Sequence, residues 1–374
     1  MQYRPFGKTG VAISRLGFGA MRLPQVAING KMVIDHEESI RIIHHAFELG
    51  VNYIDSAPLY CDDQSETIVG RALKGWRDRV YLSTKNPVED DSGPHYRERL
   101  ESSLKKLDTE VIDFYHFWGI NWETFEQKIN VKDGPLAQAI KAKEEGLIRH
   151  ISFSFHDKPE AMVRLVDTGY FESVLCQYNM LDRSNEASIA YAHEKGLGVV
   201  VMGPVGGGRL GMPSAKIQKL IPGGAKSSAE LALRFVLANP NVTCALSGMS
   251  TTGMIEENAL VASNDSALNA DEVLGLTAAM EQNKKLADLY CTGCKYCMPC
   301  PQEVNIPLNF ELMNYHRVYG LTEYARQEYQ KIGTMPWMEG KRADACIECG
   351  ECEEKCPQKL PIRVQLQETA AALG

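Results

Sequence analysis

The sequence predicts an α/β fold: a (β/α)8 barrel followed by a smaller α-helical domain organised around cysteines. Three observations carry this expectation. From residue 14 to about 262, short β-branched runs alternate with longer amphipathic stretches. Eight such runs separated by helical returns read as a closed barrel rather than an open doubly wound sheet. Beyond them, the last quarter of the chain holds eight of its eleven cysteines. A length of 374 residues accommodates one barrel of roughly 250 residues plus a small module. The division is expected at 1–285 and 286–374.

In chain order, Gln2–Phe6 and Val11–Ser14 flank a Gly-Lys-Thr-Gly turn, the pattern of a hairpin that plugs the bottom of the barrel. Barrel strands are expected at Arg15–Ala20, Val51–Asp55, Arg79–Thr84, Val111–Phe117, Ile148–Ser154, Ser173–Gln177, Gly198–Met202 and Val242–Ser247. Helical patterns lie between them at 36–49, 64–75, 95–107, 136–145, 159–167, 185–195 and 227–238. In the third, Leu100, Leu104 and Leu107 share one face. Gly50, Gly146 and Gly196 follow three of the helices, where a left-handed cap is wanted. No G-x-G-x-x-G follows a strand, which removes the main sequence support for a Rossmann domain. Residues 307–331 read as helical, with Phe310, Tyr315, Tyr319, Tyr324 and Tyr329 as packing groups.

Composition excludes several function classes. With 44% apolar and 24% charged residues the chain can bury a large core. A net charge of −8 argues against nucleic acid or an acidic membrane as partner. No stretch approaches the ~18 apolar residues of a membrane span, and MQYRPFGKTG lacks the apolar segment of a secretory signal. A cytoplasmic protein acting on a small molecule is expected.

The cysteines form two near-copies of one motif: Cys291, Cys294, Cys297 and Cys300 before Pro301, and Cys346, Cys349, Cys352 and Cys356 before Pro357. The second is C-x2-C-x2-C-x3-C-P, the spacing with which bacterial-type ferredoxins hold 4Fe–4S clusters; the first is one residue short at its last gap. Three close cysteines wrap one cluster and the remote fourth ligates the other, so each motif needs its partner. Zinc sites fit less well, because zinc knuckles usually pair two cysteines with two more a loop away. A disulfide framework fits poorly with a chain showing no secretory signal. Two 4Fe–4S clusters in a ferredoxin-like iron–sulfur domain are therefore expected. Cys61, Cys176 and Cys244 read as small core residues.

In a (β/α)8 barrel the chemistry sits at the C-terminal strand ends. The second expected strand ends in Asp55, with Tyr60 five residues on, and Lys85 ends the third. A tyrosine can donate a proton to a carbonyl oxygen as hydride arrives if a lysine cation lowers its pKa and an aspartate holds that lysine. Composition alone would make these a surface tyrosine and a solvated lysine; their coincidence at strand ends favours chemistry.

Three blocks now agree in order: GKTGVAISRLGFGAMR, VNYIDSAPLY and LSTK. Over residues 1 to about 265 the chain resembles the aldo-keto reductase superfamily, and its tail looks like the ferredoxin-like extension of one branch of that superfamily. The resemblance implies hydride transfer between a nicotinamide and a carbonyl or alcohol. On that match Tyr60 is the general acid, Lys85 its pKa modulator and Asp55 the lysine's partner.

The chain departs from the family pattern at the fourth catalytic position. The histidine of the family's D-x-Y-x-x-H string is replaced by Trp118, and His116 lies two residues earlier, on the same side of the strand and about 6–7 Å deeper. Trp118 cannot act as an acid, though its flat face could orient a substrate. His156, after the fifth strand, is a further candidate. Ser154 and Gln177 match the residues that bind the carboxamide, while Phe155 stands where an asparagine is usual. Met202 aligns with the aromatic that stacks on the nicotinamide. Gly203, Pro204, Gly206 and Gly208 lie in a stretch whose backbone N–H groups suit a pyrophosphate. Ser250, Glu257 and Asn258 match the adenosine end. The two cations that clamp a 2′-phosphate align with Gly248 and Met254, which favours NADH slightly over NADPH unless Arg209 compensates.

Two functional readings follow. One is a nicotinamide-dependent oxidoreductase whose clusters are structural or relay electrons, in the second case to a redox partner such as a ferredoxin. The other is an iron–sulfur electron-transfer protein whose barrel is a docking, regulatory or flavin-binding module. Hydride carries two electrons and a 4Fe–4S cluster usually one, so coupling them normally needs a flavin; no flavin motif is evident, but barrels can bind flavin without one.

Overall fold

Val199, Val200 and Val201 are among the β-branched residues that build a closed ring of eight parallel strands. These are β1 Leu16–Gly19, β2 Tyr53–Asp55, β3 Tyr81–Pro87, β4 Ile112–Ile120, β5 Ile148–Phe155, β6 Ser173–Gln177, β7 Gly198–Met202 and β8 Cys244–Ser247. Each pairs with the next, and β8 pairs with β1 to close the barrel. The computed structural model describes residues 1–28, 31–221, 224–264, 268–288, 291 and 293–374.

Every expected barrel strand is present. Both β3 and β4 run further toward the mouth than their apolar runs suggested, to Pro87 and Ile120. The returns begin with α1 His36–Glu48, α2 Ser65–Leu73 and α3 Gly93–Leu107. Asp35 caps α1 by accepting from the Glu38 N–H, and Ser92 caps α3 through His95. Later helices lie at Pro135–Glu144, Pro159–Asp167, Glu186–Lys195 and Ser228–Ala238. Gly50, Gly146 and Gly196 take φ of 92°, 79° and 94°, as left-handed caps require.

The hairpin Tyr3–Pro5 and Ala12–Ser14 seals the lower end. Its turn donates the Lys8 N–H to the Gly196 carbonyl at 2.8 Å. It drives Phe6 into a buried cluster with Tyr53, Phe114, Leu175, Val200 and Leu246, with ring centroids 4.7 Å apart at Phe114 and 6.0 Å apart at Tyr53. A Cβ on Gly198 would lie 2.2 Å from the Phe6 ring. Gly198→Ala is therefore expected to cost about 1–3 kcal/mol by overpacking, read as a lower urea midpoint at unchanged m. An unaltered midpoint would mean that the ring swings aside freely.

Two features escaped the sequence reading. Gln25–Ile28 and Lys31–Ile34 form a second hairpin after β1; the signal was the Asn-Gly pair at 29–30 between alternating residues. The helix expected over 307–331 is two helices, Ile306–Arg317 and Thr322–Tyr329, separated by a turn in which Gly320 has φ 68°.

The chain divides into two compact units, Met1–Gly206 with Ala232–Leu268, and Gly207–Leu231 with Asn269–Gly374. The expected boundary at 285/286 falls inside the helix Ala270–Asp288. In the second unit, Phe310, Leu321, Tyr329, Ile362 and Leu366 are buried between its helices. Tyr315 packs on Tyr319 and Tyr324. Ser214 donates to the Tyr319 carbonyl at 2.7 Å, tying residues 207–231 to this unit. Among the described residues no helix is long and apolar enough to cross a membrane.

Candidate functional site

Strand register brings Asp55 and Lys85 together, with Tyr60 in the turn that follows β2. Asp55 pairs with Ser83 across β2 and β3, and Lys85 pairs with His116 across β3 and β4. Lys85 and Asp55 are each only 2% exposed. The ammonium donates to one Asp55 oxygen and, at 2.7 Å, to the Ser56 carbonyl. Ser83 Oγ donates to the other Asp55 oxygen at 2.6 Å. A charge so buried survives only when paired and hydrogen-bonded. Burial alone would lower the Lys85 pKa, but Asp55 and Tyr60 outweigh it and raise the pKa, so the group stays a cation.

Tyr60, half-buried, lies above this pair, with Lys85 Nζ 4.9 Å from its ring centroid. Burial pushes the phenol pKa upward and Lys85 pulls against it; the net direction is up, so the hydroxyl keeps its proton at neutral pH. Trp118 meets the Tyr60 ring edge to face, with centroids 5.7 Å apart and planes at 88°. The position where the family pattern has a histidine thus presents an indole directly against the phenol.

The two histidines differ in place. His116 is fully buried, level with its register partner Lys85. Neither ring nitrogen has a hydrogen-bond partner, the nearby Phe153 carbonyl not completing a bond. Desolvation, helped by Lys85 and opposed by Asp55, lowers its pKa to about 4, so it is neutral at pH 7. His156 follows the end of β5 and is exposed, beside Gly119 at the mouth. Surrounding protein and Lys85 lower its pKa as well.

The expected cofactor residues fall in groups. At the end of β5, Ser154 Oγ accepts the Gly119 N–H at 2.7 Å. Gln177 and Met202 are register partners at the ends of β6 and β7. Gly203 follows, and a Cβ there would lie 2.6 Å from the Gln177 amide, so only glycine admits that side chain. Asn179, which the sequence reading missed, donates to the Gly203 carbonyl at 3.0 Å, and Asn185 donates to the Gln177 carbonyl at 3.0 Å. Pro204 is buried, and Gly206 has φ 60°. Gly208, φ 101°, belongs to the second unit. Ser250 precedes the helix Thr252–Ser263, which carries exposed Glu257 and buried Asn258, the latter donating to Ser247 Oγ at 3.3 Å. Arg209 hydrogen-bonds the Tyr315 hydroxyl within the second unit.

In the second unit the cysteines line two cavities. One is lined by Cys297, Cys300, Cys346, Cys349 and Cys352. The other is lined by Cys291, Cys294, Cys297 and Cys356, so that Cys297 stands between the two. None of the eight forms a disulfide. The Gly293 and Glu348 N–H groups point at Cys291 and Cys346 sulfurs at 3.3 and 3.4 Å, the same offset in each motif. Among the described residues no three potential ligands converge tightly enough for a single ion. Soft sulfur ligands spread around each cavity, with amides aimed at two of them, fit a sulfur-bridged group larger than one ion.

A closed barrel with a buried lysine–aspartate pair under a tyrosine, joined to a module with two cysteine-lined cavities, defines the class: a (β/α)8 oxidoreductase with an iron–sulfur domain. Residues 15–280 match the aldo/keto reductase family, and residues 290–360 match the 4Fe-4S dicluster domain. The chain belongs to the aldo/keto reductase family. It is 28% identical over 316 residues to an uncharacterized oxidoreductase, YqkF, of Bacillus subtilis, covering 76% of this chain and 98% of that one. It is 27% identical over 298 residues to L-galactose dehydrogenase of Arabidopsis thaliana, covering 73% and 91%. The structure of aldo-keto reductase AKR11C1 from Bacillus halodurans in its holo form is 29% identical, covers 74% of this chain and 96% of its own, and superposes with a TM-score of 0.63.

Proposed function

We propose that the protein transfers hydride between a nicotinamide and a carbonyl or alcohol substrate, with Tyr60 as general acid, Lys85 holding its electrostatics and Asp55 holding Lys85. The observation that carries this is the Lys85–Asp55 pair under the Tyr60 ring. A bound nicotinamide supplies or takes up the hydride. As a carbonyl is reduced, the Tyr60 hydroxyl gives its proton to the substrate oxygen, and the Lys85 cation stabilises the phenolate left behind. Asp55 keeps the ammonium aimed, and its own charge is fixed by Ser83. Ser154, Gln177, Met202 and Gly203 are the residues suited to the nicotinamide end, and Ser250, Glu257 and Asn258 to the adenosine end. NADH is slightly favoured, because Gly248 and Met254 offer no cation to a 2′-phosphate and Arg209 is engaged by Tyr315. A relative named as a sugar dehydrogenase supports an alcohol or carbonyl substrate.

Cys291, Cys294, Cys297 and Cys356 would hold one 4Fe–4S cluster, and Cys300, Cys346, Cys349 and Cys352 the other. Their role is structural in this reading, since a one-electron centre does not accept hydride. The thiols suit a reducing compartment, so we place the protein in the cytoplasm. A second reading, an electron-transfer protein whose barrel docks a redox partner or binds flavin, draws on the indole at position 118. Anaerobic purification followed by iron, sulfide and flavin analysis and a nicotinamide titration separates the two: stoichiometric flavin with no nicotinamide binding would overturn the first.

With Trp118 in place of a second donor, simple aldehydes are expected to be poor substrates; such a donor is typically worth on the order of 2.7–4 kcal/mol. Trp118→His should raise aldehyde reduction. His156→Ala should slow the natural reaction more than His116→Ala, because His156 stands at the mouth. Steady-state rates with aldehydes and the natural substrate check this. Wild-type rates on simple aldehydes as fast as those of an ordinary family member, indifferent to either histidine, would make Trp118 a neutral replacement.

A further inference from the structure

The turn bearing Tyr60 has an unusual backbone. Leu59, Cys61, Asp62 and Asp63 all lie in the left-handed region, with φ of 69°, 55°, 54° and 65°. Residues with a Cβ enter that region reluctantly, and no glycine between 59 and 63 eases the turn. Such a conformation persists only where surrounding contacts over-determine it. The contacts are specific. Asp63 takes Lys106 Nζ on both carboxylate oxygens, at 2.7 and 2.8 Å, and one of those oxygens also receives the Leu59 N–H at 3.4 Å. The carboxylate therefore grips both ends of the segment that holds Tyr60. Lys106 projects from α3, a rigid element outside the turn, and is 28% exposed. Behind the turn, Ser65 Oγ donates to the Ala20 carbonyl at 2.9 Å. Glu66, 1% exposed, accepts from Thr84 Oγ1 at 2.7 Å. Thr84 immediately precedes Lys85, so the segment after the tyrosine is tied to the strand that carries the lysine.

We infer that Lys106 and Asp63 are positioning residues for Tyr60, their ion pair clamping the left-handed turn so that the phenol stays over Lys85. This rests on Tyr60 being the acid. The pair acts through the turn rather than on the reacting atoms. An exposed ion pair ordinarily contributes little to stability. Here its effect is conformational, because a displacement of the phenol by an ångström can cost up to 10²-fold in rate.

The test uses anaerobically prepared, cluster-loaded full-length protein. Lys106→Met and Asp63→Asn are each expected to lower kcat roughly 10-fold on 4-nitrobenzaldehyde with KM nearly unchanged, and to speed amide exchange of the peptide covering 57–66 by a similar factor. Lys106→Arg should restore most of the rate. The charge-swapped pair Asp63→Lys with Lys106→Asp restores the ion pair but not the acceptor for the Leu59 N–H, so it should recover part of the exchange protection and kcat lost in the single changes, which guards against a variant that merely folds poorly. Exchange and kcat both within twofold of wild type in Lys106→Met and Asp63→Asn would overturn the inference, as would a swapped pair no better than either single change. Tyr60→Phe assayed in parallel separates the two claims: normal turnover there defeats the acid assignment, while the exchange data still judge the clamp.

Discussion

Replacing Tyr60 with phenylalanine is expected to lower turnover by roughly 10²-fold or more while leaving nicotinamide affinity nearly unchanged. The substitution removes the proposed proton donor but keeps the ring that meets Trp118 and lies by Lys85. Lys85→Met should act in the same direction for a different reason. Without the cation, burial and Asp55 would push the phenol pKa higher still and leave a developing phenolate unsupported. It also strands Asp55 as an unpaired carboxylate at 2% exposure, so its folding must be checked beside its rate. The pH dependence has a definite sign. An acid works only while protonated, and this phenol titrates above its ordinary value of 10. Reductive kcat/KM should therefore show no loss from Tyr60 through neutral pH and fall on the alkaline side. A profile already falling at pH 8, or near-normal turnover by Tyr60→Phe on the natural substrate, would remove the proposed mechanism.

Crossed cluster loss is the second large effect expected. Anaerobically prepared protein should contain about eight iron and eight sulfide per chain and absorb broadly near ~400 nm, bleaching on reduction. Cys356→Ser should damage the cluster at Cys291, Cys294 and Cys297, although Cys356 belongs to the other motif in sequence. Cys300→Ser should damage the one at Cys346, Cys349 and Cys352. Each should retain about four iron if the surviving site holds. The expectation rests on which cysteines line each cavity. Pairing Cys356→Ser with Cys346→Ser discriminates: crossed ligation predicts loss at both sites, whereas ligation within each motif predicts loss at one. Stoichiometric zinc in place of iron would sink the cluster assignment.

Much of the fold could be read from the chain because barrel strands advertise themselves twice, by β-branched runs and by the caps of the helices between them. The run over 198–202 and the cap at Gly196 fix β7 to the residue. The ends of β3 and β4 were less legible, since Asn86, Pro87 and Gly119 carry no strand preference and are held by neighbours rather than by propensity. Gly320 breaks the C-terminal helical pattern for backbone reasons that the aromatic periodicity around it concealed. At the site, the chemistry-bearing types at strand ends pointed to Asp55, Tyr60 and Lys85. The residues that orient them did not stand out. Ser83 and Ser56 are ordinary residues whose importance is set by register, and register appears only when the sheet closes.

The hairpin plug has a further consequence for protons inside the barrel. Phe6, Tyr53 and Phe114 fill the lower interior, so His116 has an apolar floor beneath it and charged Lys85 and Asp55 in the layer it shares. Any exchange of its ring proton with bulk water must pass upward, through the mouth at the C-terminal strand ends. The imidazole is thus a gauge of traffic at that entrance: its ring N–H should exchange slowly in the free protein, and more slowly still when a ligand stands over Tyr60.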